Sequence, residues 1–183
     1  MLFIAYFTAT CGLSLNSSLA LYYYRYRLAL DETATRGIIA LFMLVFCLFI
    51  PVWVKAASRY SKRNILVVNI LGLGLMTCIA YPLFPPGNAS WPLIAAVLGG
   101  VFVGSIVLLD VAVADVADVD EQTSGYSRFG LFFGMWKMGG KISRAVALAL
   151  TGKVLFWIGF QPNTEQAPET SWWLAIIFGP VVG

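Results

Sequence analysis

The sequence predicts an all-α, polytopic transmembrane helix bundle. Three observations carry that prediction. Of 183 residues, 60% are hydrophobic and 11% charged, with a mean hydropathy of +0.82. Soluble domains run at about 25% charged, and so few charges cannot cover a water-facing surface. Uncharged runs of bilayer-crossing length recur along the chain. The basic residues gather in a short connection between two of them.

Residues 1–24 hold no charge and end in Tyr22-Tyr23-Tyr24, followed by Arg25 and Arg27. A helix needs roughly 20 apolar residues to cross the hydrocarbon, and tyrosines followed by arginines mark its exit. No basic residues precede the run and no small-residue cleavage signature follows, so it reads as a span and not as a signal peptide. A second span covers 37–57 and contains Pro51, which a membrane helix tolerates where neighbours re-satisfy the freed carbonyl. Asn64–Leu109 is 46 residues without a charge, broken by Pro85-Pro86-Gly87-Asn88. Prolines with glycine mark a turn, so this stretch divides into spans at 64–84 and 89–112. The latter carries Gly99, Gly100 and Gly104, small residues that let backbones approach in lipid. A fifth span covers 129–160. A sixth opens on Trp172-Trp173 and stops at 183, short of a crossing, so the chain is expected to be a fragment. The six runs form one bundle, 1–183.

Lys55, Arg59, Lys62 and Arg63 fall within nine positions, while 85–88 and 161–170 hold no basic residue. The positive-inside rule puts 55–63 in the cytoplasm, and alternation places 110–128 there too. The three arginines of 25–36 vote mildly the other way. With no histidine and three scattered cysteines, neither a metal site nor a disulfide framework is expected. No cofactor and no nucleic-acid partner is expected either.

The fifth span carries the sharpest chemical signal. A lysine near the bilayer centre costs at least ~2.5–3.5 kcal/mol on insertion scales. Lys137, Lys141 and Arg144 are spaced i, i+4 and i+7, which puts them on one helical face. That face is expected to line a polar interior. More plainly, Lys137 could snorkel to the headgroups and Arg144 could pair with a carboxylate of a neighbouring helix. Lys141 is the deeper of the two lysines. The acidic segment holds Asp110, Asp115, Asp118, Asp120 and Glu121. Such a cluster could bind magnesium-diphosphate, or could cap the cytoplasmic end of the fourth span and pair with Arg128 or with the 55–63 basics. Asp110 has no evident role.

Several segments together resemble a known family. Ala114-Asp115, Asp118, Asp120-Glu121, then Gly125, Arg128 and Gly130 resemble the segment after helix ten in the glycoside–pentoside–hexuronide:cation symporters of the major facilitator superfamily. Lys141 falls on that family's helix-eleven lysine, in a register supported by Gly159-Phe160. Tyr22-Tyr23-Tyr24 is similar to the tyrosine pair ending helix seven, and Pro51 through Arg63 to the helix eight–nine connection, with Ser58 where many members have aspartate. The resemblance covers nearly the whole chain, in order. It implies the C-terminal six-helix half of a major facilitator fold, with the last helix truncated.

The resemblance further implies a multi-pass membrane protein, part of a cation-coupled symporter of a glycoside, sugar or related small solute. Its partners would be the lipid bilayer and a missing N-terminal six-helix half, and the full-length parent would use Na+ or H+. Lys141, with Lys137 and Arg144, would face the substrate and cation site. Asp115, Asp118, Glu121, Arg128 and Arg59 would form a cytoplasmic gate network. Two other classes compete. One is a membrane-embedded magnesium-dependent prenyl- or phospho-transferase, although the chain has one acidic cluster where two facing ones are usual. The other is a non-transporting membrane subunit.

Overall fold

The computed structural model of the chain describes residues 2–162, 164 and 166–182. Met1 and Gly183, the outer limits of the first and sixth expected spans, lie outside the described residues, as do Asn163 and Glu165 of the loop at 161–170. The described chain is helical, with no strand among the described residues. Its α-helices are α1 (Leu2–Tyr22), α2 (Glu32–Ala56), α3 (Lys62–Leu83), α4 (Ser90–Gly104), α5 (Val107–Ser124), α6 (Phe129–Trp157) and α7 (Pro168–Ile176). Two π-helical turns, Tyr23–Arg27 and Ile177–Val181, continue α1 and α7.

Among the described residues, three rods are long and apolar enough to cross a membrane: Glu32–Ala56, Lys62–Leu83 and Ser90–Ser124. The third is α4 and α5 together. The sequence places the end of the fourth span at 112, but the helix itself runs on to Ser124. Acids do not break a helix, and Val113 and Ala117 keep a buried face through the acidic segment. The rod stops only at Gly125, which caps it in the left-handed region at φ 73° and donates to the Glu121 carbonyl. A kink divides the rod at Ser105-Ile106, whose amides reach back only three residues, to Phe102 and Val103.

Caps and turns follow the local chemistry. Asp31 caps α2 by accepting from the Ala34 amide at 3.0 Å, satisfying a donor the helix leaves free. Gly87 takes φ 78° in the expected Pro-Pro-Gly-Asn turn, and its amide donates to the Leu28 carbonyl at 2.8 Å. That bond ties two loops at one end of the bundle.

The helices pack chiefly in pairs, α1 along α6 and α2 along α4. Glycines set the close approach in both. A Cβ on Gly100 would sit 2.9 Å from Val45 Cβ and 3.0 Å from the Phe42 carbonyl. One on Gly140 would lie 2.5 Å from the Tyr6 hydroxyl. Two apolar clusters hold the bundle. At the end away from Lys55–Arg63, Leu19, Tyr23, Ile38, Tyr81, Leu174 and Phe178 are buried together. There the Tyr23 ring stacks on Phe178 at 4.4 Å between centroids, and its hydroxyl donates to the Tyr81 carbonyl at 2.5 Å. Towards the basic connection, Ile65, Leu66, Leu108, Leu109, Val113 and Trp136 form the second cluster.

Candidate functional site

Between the two helix pairs lies an open cleft of about 570 Å³. One wall is a stripe of α1: Tyr6, Thr10, Ser14, Ser17 and Ser18 line it. Positions 6, 10, 14 and 17 recur at helical spacing and so share a face. Phe46 and Ile50 of α2 form an apolar side, and Ile106, Val107 and Asp110 enter just past the kink of the α4–α5 rod. From α6 come Lys137, Arg144 and Leu148.

The α1–α6 joint positions this wall. Gly139 and Gly140 leave room for the rings of Phe3 and Tyr6. The buried Ser143 hydroxyl donates to the Phe7 carbonyl at 2.9 Å. The Tyr6 ring stacks on Trp136, with centroids 3.7 Å apart and planes at 18°. Trp136 in turn donates its indole N–H to Asp110 Oδ1 at 2.6 Å, while Lys137 Nζ lies 3.1 Å from both carboxylate oxygens. Asp110 is thus fixed by a buried indole and a neighbouring ammonium, both from α6. It is the residue to which the sequence assigned no role, because its partners lie 26 and 27 positions away on another helix.

Of the basic residues expected on one face of α6, Lys137 and Arg144 line the cleft. Arg144 has no ion pair or hydrogen bond among the described residues. Lys141 is exposed on the same side of the helix, does not line the cleft, and is likewise unpaired among the described residues. The stripe on α1 was not singled out from the sequence. Its signal was available in the same spacing that marks Lys137, Lys141 and Arg144.

The acidic segment pairs selectively. Asp115 accepts from Lys62 Nζ, and Arg128 Nη1 lies 3.8 Å from Asp120 Oδ1, while Asp120 Oδ2 is buried with no hydrogen-bond partner among the described residues. Asp118, Glu121 and Arg59 are exposed and make no ion pair among the described residues. Of the basics at 55–63, the described structure therefore brings Lys62, and not Arg59, to the acids. No group of three or more metal-ligating side chains occurs among the described residues.

The cleft thus lies between helix pairs and is lined by hydroxyls of α1 and by Lys137 and Arg144 of α6. The family model described as MFS/sugar transport protein matches residues 1–181. The chain belongs to that family. It is accordingly a membrane protein of a transporter family and not an enzyme, which sets aside the magnesium-dependent transferase. The chain is 28% identical over 174 residues to a protein of Escherichia coli (strain K12) named "Putative 2,3-dihydroxypropane-1-sulfonate exporter". The match covers 92% of this chain and 37% of the relative, so the chain spans little more than a third of that relative's length. No solved structure gives a significant match.

Proposed function

We propose that the chain forms one wall of the passage in a cation-coupled secondary transporter of the cell membrane. Its solute is a sugar or a related small hydroxylated molecule. The observation that carries this reading is the cleft, where a hydroxyl-bearing stripe of α1 faces Lys137 and Arg144 of α6. Hydroxyls at helical spacing serve a polyol as donors and acceptors, and charges at membrane depth need water or a partner. The other wall belongs to an N-terminal six-helix half, since transporters of this architecture rock two halves about a midplane site. The name of the Escherichia coli relative supplies a first candidate solute, 2,3-dihydroxypropane-1-sulfonate, a small polyol.

Lys141 is exposed on the same α6 helix that brings Lys137 and Arg144 to the cleft, where the second half would reach it. Its ammonium pairs there with carboxylates of that half, and this pair couples Na+ or H+ to solute binding. Lys141→Val in the complete transporter, reconstituted in liposomes, tests the role. Coupling free energies between sites correspond to about 5–150-fold. Gradient-driven solute movement should therefore fall by at least about fivefold, with gradient-free exchange retained. Coupled transport as fast as in the wild type would defeat the assignment.

A further inference from the structure

Three charged side chains line the cleft: Asp110, Lys137 and Arg144. They are not equivalent. Lys137 is held against both oxygens of Asp110, and the indole N–H of Trp136 fixes the same carboxylate from the buried side. Lys137 and Asp110 therefore cancel, and Arg144, unpaired among the described residues, is left as the uncompensated charge of the cleft lining. We propose that Asp110 sets the charge of the solute the cleft accepts: by neutralising Lys137 it leaves a single cation, so that a monoanionic hydroxylated molecule binds in preference to a neutral or a dianionic one. This rests on the passage reading given above.

The physical reasoning is a charge count in a restricted space. A guanidinium holds an oxyanion through two parallel N–H donors, and the hydroxyls of Thr10, Ser14 and Ser17 remain for the solute's own hydroxyls. A neutral polyol leaves Arg144 without a counter-charge. A dianion brings one charge more than the cleft answers. The restraint on Asp110 matters because a free carboxylate could swing to Arg144 and abolish the anion site. Trp136, 3% exposed and stacked on Tyr6, prevents that swing.

The test uses the complete transporter and three probes of one size class: glycerol, 2,3-dihydroxypropane-1-sulfonate and glycerol 3-phosphate, neutral, monoanionic and dianionic at about pH 7.5, above the second phosphate pKa of about 6. Their affinities are measured by isothermal titration calorimetry in detergent. The wild type should prefer the sulfonate. In Asp110→Asn, Lys137 becomes a second free cation, and the phosphate-to-sulfonate affinity ratio should rise by about tenfold, the size of a unit-charge interaction at a few ångströms in a partly hydrated site. In Asp110→Asn/Lys137→Met the count returns to one and the sulfonate preference should return with it. A merely structural pair would not produce that restoration. The double variant also keeps the test decisive if the single variant folds poorly. An unchanged ratio in Asp110→Asn, or no restoration in the double variant, overturns the assignment of Asp110 while leaving the passage intact. Absence of binding by all three probes to the wild type overturns the cleft as a solute site, and both readings with it.

Discussion

Gly140 and Ser143 sit one turn apart on α6 and hold α1 by different physics. Ser143 makes a hydrogen bond across the joint, to the Phe7 carbonyl. Such bonds between membrane helices are worth on average about 0.6 kcal/mol, because the unfolded chain in lipid also finds partners. Gly140 supplies space: any Cβ there meets the Tyr6 hydroxyl at 2.5 Å and must displace a ring stacked on Trp136. Overpacking of this kind costs about 1–3 kcal/mol. Thermal unfolding in one detergent should therefore rank Gly140→Ala as the more damaging, Ser143→Ala as mild, and Gly134→Ala, where nothing lies within 4 Å, as neutral. A Ser143→Ala loss exceeding that of Gly140→Ala would make the polar bond the principal tie. At this scale the sequence was informative where energy was large. Lys137, Lys141 and Arg144 were legible as one charged helical face because lipid accepts such charges poorly, and of the three Lys137 and Arg144 line the cleft. Asp110 did not, because a carboxylate near a helix end is cheap to expose, and only the fold brings Trp136 and Lys137 to it.

The α4–α5 rod shows how an element outruns the hydropathy that reveals it. Gly99, Gly100 and Gly104 were legible as a close-packing face, and Gly100 meets Val45 and the Phe42 carbonyl as such a face must. The helical course of the acidic segment was not legible, since loss of hydropathy marks the edge of the hydrocarbon and not the end of a helix. Its true end is conformational. Gly125 holds φ 73°, and a methyl added to its Cα would find nothing within 4 Å, so a side chain there would meet no obstacle except its own backbone. Gly125→Ala should cost about 1 kcal/mol, the usual penalty for a left-handed alanine, and Gly125→Asn less, because asparagine visits that region readily. Hydrogen exchange at the Glu121–Gly125 end of α5 is the sensitive measurement: the alanine variant should fray there and leave the α1–α6 joint unaffected. Equal protection in both variants and the wild type would show that Gly125 does not fix the helix end.

At the scale of the whole molecule, two ion pairs among the described residues tie Asp115 and Asp120 to neighbouring helices, at the end expected to be cytoplasmic. Lys62 at the start of α3 meets Asp115 of α5, and Arg128 ahead of α6 lies near Asp120. Both are substantially exposed, with side-chain exposures of 33% and 53% in the first and 51% and 27% in the second. Exposed pairs contribute about 0–1 kcal/mol each, too little to hold the bundle together but enough to bias an equilibrium between two arrangements of the proposed rocking transporter. Their expected role is to favour the state closed at that end. Ser17 lines the cleft and offers a reporter: Ser17→Cys, in a background with Cys11, Cys47 and Cys78 replaced by serine, can be labelled by a membrane-impermeant thiol reagent applied from the cytoplasmic side of inverted vesicles. About 1 kcal/mol is about a factor of five in a population. Lys62→Ala or Arg128→Ala alone should then raise the labelling rate up to about fivefold, and the pair of substitutions should raise it further, because the two contacts are separate and their effects add. Arg59→Ala, at a side chain that makes no ion pair among the described residues, should change little. If Arg59→Ala accelerates labelling as much as Arg128→Ala does, the effect is one of net charge in the basic connection, and the two contacts are not the device that closes this end.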